Sequence, residues 1–157
     1  MKFILFATAI AKTVYFIRHG EQDDSSGKDL SAQGYTRAQC LVNVFTNSFK
    51  SPESIIAQDP SDHSHRALET VQPLARYLGV QVLDSCDRDD ISCAVDLINQ
   101  QLDGGSKKVL VAWEHKQLAQ IAMNFVDEDL KYPGSEYDLI WIVDTKTRSL
   151  KIKHENC

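Results

Sequence analysis

A chain of 157 residues is the length of one domain. With 43% hydrophobic and 25% charged residues, seven Gly and four Pro, it is neither collagen-like, low-complexity nor disordered. Seventeen basic against twenty-two acidic side chains give a net charge of −5, which argues against a nucleic-acid-binding domain but leaves an anionic ligand open, because local field outweighs the total.

The elements are read in chain order. Met1-Lys2 precedes an apolar stretch, Phe3 to Ala11, that ends in Ala9-Ile10-Ala11 and is signal-like. It falls short of the roughly 15–30 residues of a secretory signal. The reading therefore favours an uncleaved segment on a cytoplasmic chain, with secretion as the alternative. No apolar run approaches the roughly 18 residues of a membrane span. Thr13 to Ile17 is short, apolar and rich in β-formers, which predicts a buried strand. Gln22 to Asp29 is a polar loop. Ser31 caps a helix whose buried stripe is Ala38, Leu41, Val42, Phe45 and Phe49. Ser54 to Gln58 is a second strand and Asp59 to Ser64 a loop. A helix follows from about His65 to Leu78, with Pro73 expected to kink it and Gly79 to end it.

Val80 to Leu83 is a third strand, Asp84 to Asp90 an acidic loop, and Ile91 to Leu102 a helix. Val109 to Ala112 is a fourth, fully buried strand. Lys116 to Phe125 is a helix. Tyr137 to Asp144 and Leu150 to Lys153 are strands around the turn Thr145-Lys146-Thr147-Arg148. No repeat or interdomain linker interrupts residues 1–157, so one domain is expected. Alternating strands and helices imply an α/β three-layer sandwich: a mostly parallel central sheet with helices on both faces.

Cys40, Cys86, Cys93 and Cys157 are even in number, and Cys86 and Cys93 are close enough to pair across a loop. The chain is long enough to fold without bridges, so free thiols are expected. The pair His63-x-His65 has no evident third ligand, so no metal is expected. No cofactor is expected either.

In a parallel sheet, ligands bind beyond the carboxyl ends of the strands. There the sequence places Arg18-His19-Gly20-Glu21, His63-Ser64-His65-Arg66, Asp87-Arg88-Asp89-Asp90 and Trp113-Glu114-His115. Each cluster alone has an ordinary structural explanation; all of them at one rim make a phosphoryl site. Arginine forks match phosphoryl oxygens. A neutral histidine can attack phosphorus, a second can donate to the equatorial oxygens, and a carboxylic acid can protonate the leaving oxygen. Gly20 would let the backbone approach the ligand.

Val14 to Glu21 resembles the signature strand and loop of the histidine phosphatase superfamily, the phosphoglycerate mutase-like proteins. Leu30 to Ala38 is similar to its Leu-Thr-x-x-Gly-x-x-Gln-Ala segment. Ser64 to Thr70 is similar to its Arg-Ala-x-x-Thr helix start. Val109 to His115 is similar to its late strand ending in a histidine. The likeness spans about residues 13–125. The Cys-Asp-Arg-Asp-Asp and Trp-Glu-His stretches look most like a small fungal branch.

The resemblance implies a phosphoglycerate mutase-like fold with minimal cap and, residue by residue, a chemistry. His19 matches the phosphorylated nucleophile, Arg18 and Arg66 the phosphate-binding arginines, and His115 the second histidine of that pocket. Glu21 supports. Many members place the proton donor after the third strand, where Asp87, Asp89 and Asp90 stand; Asp89 is favoured among them, with Glu114 as the alternative. Where the family often has Ser-His-Gly, this chain has Glu114-His115-Lys116; Lys116 either reaches the cleft or is a solvated helix start.

The expected function is hydrolysis of a phosphomonoester or phosphoramidate through a phosphohistidine at His19. A mutase must shield its phosphohistidine from water, and this chain lacks length for a lid, so hydrolysis is favoured. The alternative is an altered member that binds an anionic metabolite or was recruited to another reaction. The expected partner is a phosphorylated small molecule or a phosphoprotein, with no nucleic acid and no membrane span.

Overall fold

Strict alternation of buried side chains builds the centre of the sheet. In β1 (Thr13–Arg18), Val14 and Phe16 enter one core and Tyr15 and Ile17 the other. In β4 (Lys108–Trp113), Val109, Val111 and Trp113 face one way and Leu110 and Ala112 the other. Strands apolar on both sides are stable only when both faces are covered. The structure, a computed structural model, describes residues 11–157. The signal-like stretch therefore lies outside the described residues, apart from Ala11.

Six strands form one sheet in the order β3-β2-β4-β1-β5-β6. β2 (Ser54–Ala57), β3 (Val82–Leu83), β4 and β1 run parallel. β5 (Leu139–Asp144) and β6 (Ser149–His154) add an antiparallel edge. Helices α1 (Ala32–Asn43) and α2 (Arg66–Leu78) cover one face through Leu41, Val71 and Leu74. Helices α3 (Ile91–Asp103) and α4 (His115–Ala122) cover the other through Ile98, Leu102, Leu118 and Ile121. The expected three-layer sandwich is present.

Local signals explain most boundaries. Ser31 Oγ accepts from Gly34 N at 3.2 Å and caps α1. Gly79, with φ of 70°, ends α2. Several boundaries differ from expectation. α1 stops at Asn43 and continues as a π-helical turn, Val44–Ser48, so Phe49 is already extended. Thr46 Oγ1 donates to Val42 O at 2.6 Å, a back-bond that bends helix ends. α2 runs through Pro73 without interruption. β3 shrinks to two residues, α4 opens on His115 and ends at Ala122, and β5 begins at Leu139 rather than Tyr137.

The cysteines depart from the expected free thiols. Cys40 pairs with Cys157 across 117 residues, and Cys86 with Cys93 across seven. The β5–β6 hairpin explains the first bridge, because it returns the C-terminus to α1. There Arg37 Nη1 donates to Glu155 Oε1 and Asp138 Oδ1, both at 2.9 Å, and its Nε to Glu21 Oε1 at 2.6 Å. The second bridge ties the loop after β3 to the first turn of α3.

Candidate active site

β1 and β4 are neighbours in register, with Arg18 opposite Trp113. The backbone crosses once more beyond the strands, where His19 N donates to Trp113 O at 3.2 Å. This places His19 and the pair Glu114–His115 at one rim.

Two packed glycines and one threonine hold the loop after β1. A Cβ on Gly34 would lie 2.4 Å from Glu21 O, so α1 can reach that loop only with glycine there. A Cβ on Gly20 would meet Gly34 and the Leu30 side chain at 3.2 Å. Gly20 is thus required for contact with α1; the ligand approach inferred from sequence is not what crowds it. Thr70, fully buried on α2, accepts from Gly20 N at 2.8 Å and donates to Arg66 O at 2.6 Å. It links the His19 loop to the helix turn that carries Arg66.

Five of the expected site residues meet. His19 is 1% exposed. Its Nδ1 lies 2.7 Å from Gly20 O and its Nε2 lies 3.0 Å from Glu114 Oε2. Both partners are acceptors, so each ring nitrogen is placed to donate a hydrogen bond. Glu114 Oε2 also lies 3.7 Å from Arg66 Nη2. Glu114 Oε1 lies 2.5 Å from His115 Nδ1, but without hydrogen-bond alignment, so that nitrogen is buried without a partner. Arg18 Nη1 donates to Gly134 O at 2.8 Å and to Glu136 O at 3.0 Å, and its guanidinium lies 3.9 Å over the Tyr137 ring.

The electrostatics follow from burial against charge. Burial pushes the Glu114 carboxyl up, but the His19 hydrogen bond and the neighbouring charge of His19 and Arg18 outweigh it and hold it down to about 2. Burial, assisted by Arg18, lowers His115 and keeps the imidazole neutral. Burial also lowers Arg66, and its Nε has no hydrogen-bond partner among the described residues. A guanidinium with unused donors beside two imidazoles is an anion site. Glu114 occupies it with the chain's own carboxylate.

Asp89 does not join this cluster. It pairs with Arg88 at 3.0 Å and accepts from Gln117 Nε2 at 2.8 Å. That pairing lowers its pKa and keeps it ionised on the surface. Glu21 points away to Arg37, whose Nε donates to its Oε1. Lys116 is exposed, just past His115. Sequence reasoning missed Gln58, whose Oε1 accepts from Glu114 N at 2.9 Å and fixes the end of β4. It also missed Thr70 as a positioning residue, although that residue stood in the quoted Arg-Ala-x-x-Thr pattern.

The two histidines of His63-x-His65 part company. His63 Nε2 lies 3.3 Å from Asp87 Oδ1 and 3.7 Å from Asp89 Oδ2. His65 Nδ1 lies 2.7 Å from Asp29 Oδ1, with Glu69 nearby. Further carboxylate ligands therefore exist for each, contrary to the sequence reading. Asp29, Glu69 and Asp87 are half-buried and Asp89 is exposed, and surface acidic groups of this kind are common without a cation.

No family model and no curated protein matches the sequence itself. Solved structures match the fold. The chain is similar to the protein histidine phosphatase SixA complexed with tungstate, at 14% identity and TM-score 0.72, covering 92% of this chain and 97% of that one. It is similar to a mycobacterial glucosyl-3-phosphoglycerate phosphatase with inorganic phosphate, at 15% identity and TM-score 0.65, covering 94% and 98%. A phosphoglycerate mutase from Bacillus anthracis matches at 13% identity and TM-score 0.63, covering 90% and 92%. At these identities the likeness is one of fold: mixed α/β and phosphoglycerate mutase-like.

Proposed function

We propose that the chain is a cofactor-independent phosphatase that works through a phosphohistidine at His19. One observation carries the reading: His19 Nε2, Arg66 and His115 Nδ1 all face a single carboxylate, within 3.0, 3.7 and 2.5 Å. A phosphoryl group in that place would meet a nucleophile, a fork and a second imidazole. The histidine phosphatases among the fold neighbours support this choice, and the short chain favours hydrolysis over mutase transfer.

Glu114, rather than Asp89, is the proton carrier in this proposal. The incoming phosphoryl oxygens displace its carboxylate. As it leaves, it takes the Nε2 proton of His19, whose Nδ1–H stays on Gly20 O. While cations surround it, Glu114 is too acidic for that transfer, so transfer waits for the anion. The freed Nε2 lone pair forms the N–P bond. The bond from phosphorus to the leaving oxygen breaks, and that oxygen receives the proton from Glu114. Water then attacks phosphorus and gives its proton to Glu114, the N–P bond breaks, and phosphate departs. His115 donates its one N–H to the equatorial oxygens. An imidazole or other nitrogen leaving group fits the same scheme.

The test is turnover of para-nitrophenyl phosphate by the full chain and by His19→Ala, with acid-labile phosphoenzyme trapped from the former. Loss of both in the variant is expected. Equal turnover removes the nucleophile. A second reading, an anion-binding protein whose chemistry has decayed, is favoured by Glu114 lying in the pocket; vanadate binding without turnover of any phosphate ester would select it.

Two finer readings stay with this proposal. Affinity to a small fungal branch rests on the stretches Cys86–Asp90 and Trp113–His115. The two disulfides favour an oxidising compartment over the cytoplasm expected from sequence. Intact-mass analysis of natively produced protein, with and without reductant, decides that point.

A further inference from the structure

α4 begins at His115, so its first residue belongs to the candidate phosphoryl site. Residues four apart share a helix face, which lines up His115, Ala119 and Met123 over about 12 Å. That face floors a cavity of about 640 Å³. Leu130 and Tyr132 form the opposite wall. The wall is tied to the phosphoryl site at its near end, where Arg18 Nη1 donates to Gly134 O at 2.8 Å. Its rim carries the exposed cations Lys116 and Lys131; among the described residues no carboxylate lines it, and Asp127, Glu128 and Asp129 line the adjoining cavity beyond Met123. The volume is that of a small-molecule pocket, mostly apolar with a few polar groups. The cavities of about 420 and 410 Å³ lie elsewhere, beside Cys40 and Glu155 and beside the Cys86–Cys93 bridge.

We infer that this groove binds the leaving-group part of the substrate and selects a small phosphomonoester with an apolar body and a second anionic group. The inference rests on the phosphatase reading and adds the substrate class. A phosphate beside His19 and His115 leaves one direction lined for an organic group, along Ala119 and Met123. An apolar body covers those side chains and Leu130. A carboxylate or second phosphate on its flank reaches Lys116, beside the His115 end of α4, and Lys131 on the facing segment. Lys116, which sequence left between cleft and solvent, belongs to this rim.

The experiment compares 3-(4-phosphonooxyphenyl)propanoate with its primary amide. The two share a phenol leaving group and differ only in the distant charge. The wild-type chain is expected to prefer the acid in kcat/KM by about fivefold, as two exposed ion pairs allow. The preference should fall toward one in the double variant Lys116→Gln, Lys131→Gln, and in wild type as ionic strength rises. Turnover of both esters with no preference in wild type overturns the groove and leaves the phosphatase reading standing. If neither ester is turned over and no phosphoenzyme forms, the phosphatase reading fails, and binding then tests the groove alone. The dephosphorylated acid should shift the Met123 and Ala119 methyl signals in NMR more than its amide does; equal or absent shifts overturn the groove. Faster turnover of a phosphohistidine peptide, with acid and amide alike, also overturns it.

Discussion

Glu114 spans the two imidazoles, its Oε2 3.0 Å from His19 Nε2 and its Oε1 2.5 Å from His115 Nδ1. In the proposed scheme a carboxylate so placed competes with a bound phosphate and also carries the proton for the leaving oxygen. Glu114→Gln separates the two roles, because the amide keeps the size and loses the charge. Vanadate should bind about tenfold more tightly, since no internal anion has to leave. Turnover of alkyl phosphates should fall about a hundredfold or more, the usual scale of a lost general acid. Aryl phosphates, whose leaving groups need less protonation, should fall less. Vanadate inhibition and kcat on both ester types check this; unchanged vanadate affinity would mean that the carboxylate does not compete.

Arg66 is held against its own solvation. It is 9% exposed, its Nε is unpartnered among the described residues, and the carboxylate it pairs with there is Glu114, at 3.7 Å. A buried cation without a full set of acceptors destabilises the free protein. Arg66→Met should therefore raise Tm by about 2–4 °C, corresponding to roughly 1 kcal/mol at this chain length. The same variant should weaken phosphate binding by about tenfold to a hundredfold, the scale of a charge-assisted hydrogen bond. Thermal melts with and without phosphate measure both effects. A variant less stable than wild type even without phosphate would mean that Arg66 is structural.

What could be read in the sequence is what local chemistry specifies. Ser31 as a cap, Gly79 as a stop and the apolar runs at Val14 and Val109 depend on near neighbours, and they came out as expected. The meeting of His19, Arg66, Glu114 and His115 needed one further rule, that strand ends converge, and it held. The failures depend on distant partners. Asp89 has the residue type of a proton donor, yet Gln117, 28 residues away, holds it on the surface together with its neighbour Arg88. Gln58 gives no local sign that it will meet the Glu114 backbone, 56 residues away. Cys40 and Cys157 pair because a hairpin and an ion cluster bring the C-terminus to α1; Arg37 and Glu155 stand close to the two cysteines, but no local feature shows that they meet across 118 residues.

That ion cluster sets a pH dependence. Glu155 is 4% exposed and shares Arg37 with Asp138 and Glu21. Burial pushes its carboxyl up to about 8, against the pull of Arg37. A group raised on folding lends its full stability below its unfolded value of 4.5 and loses it as pH climbs through about 8. Glu155→Gln should flatten this fall. The difference between the two Tm curves isolates Glu155 from His115, which burial lowers below its ordinary 6.5 and which acts in the opposite sense. Parallel curves from pH 5 to pH 9 would contradict the assignment.

The Cys40–Cys157 bridge closes a loop of 117 residues next to that cluster. Cross-links over such loops commonly stabilise a domain by about 2–5 kcal/mol. Cys157→Ser should lower the denaturant midpoint accordingly, and reductant should lower wild type further than the variant, which keeps only Cys86–Cys93. Equal midpoints in oxidised wild type and variant would mean that the bridge contributes nothing.

Thr70 offers the sharpest test of how the proposed nucleophile, His19, is positioned. Its hydroxyl accepts from Gly20 N at 2.8 Å and donates to Arg66 O at 2.6 Å, with no exposed surface. Gly20 O in turn faces His19 Nδ1 at 2.7 Å. Thr70→Val keeps the shape and leaves the Gly20 N–H buried without an acceptor, at about 1–3 kcal/mol. Thr70→Ser retains both hydrogen bonds and loses a methyl, for about 1 kcal/mol. A purely structural threonine would make the two variants differ only in Tm. A positioning threonine predicts more: kcat should fall about tenfold in Thr70→Val and recover in Thr70→Ser, with KM changing little, because Arg66 and His115 still hold the phosphate. The rate of phosphoenzyme formation, read by rapid quench below the Tm of both variants, separates these cases. Equal rates would show that the Gly20 loop keeps His19 in place without help from α2.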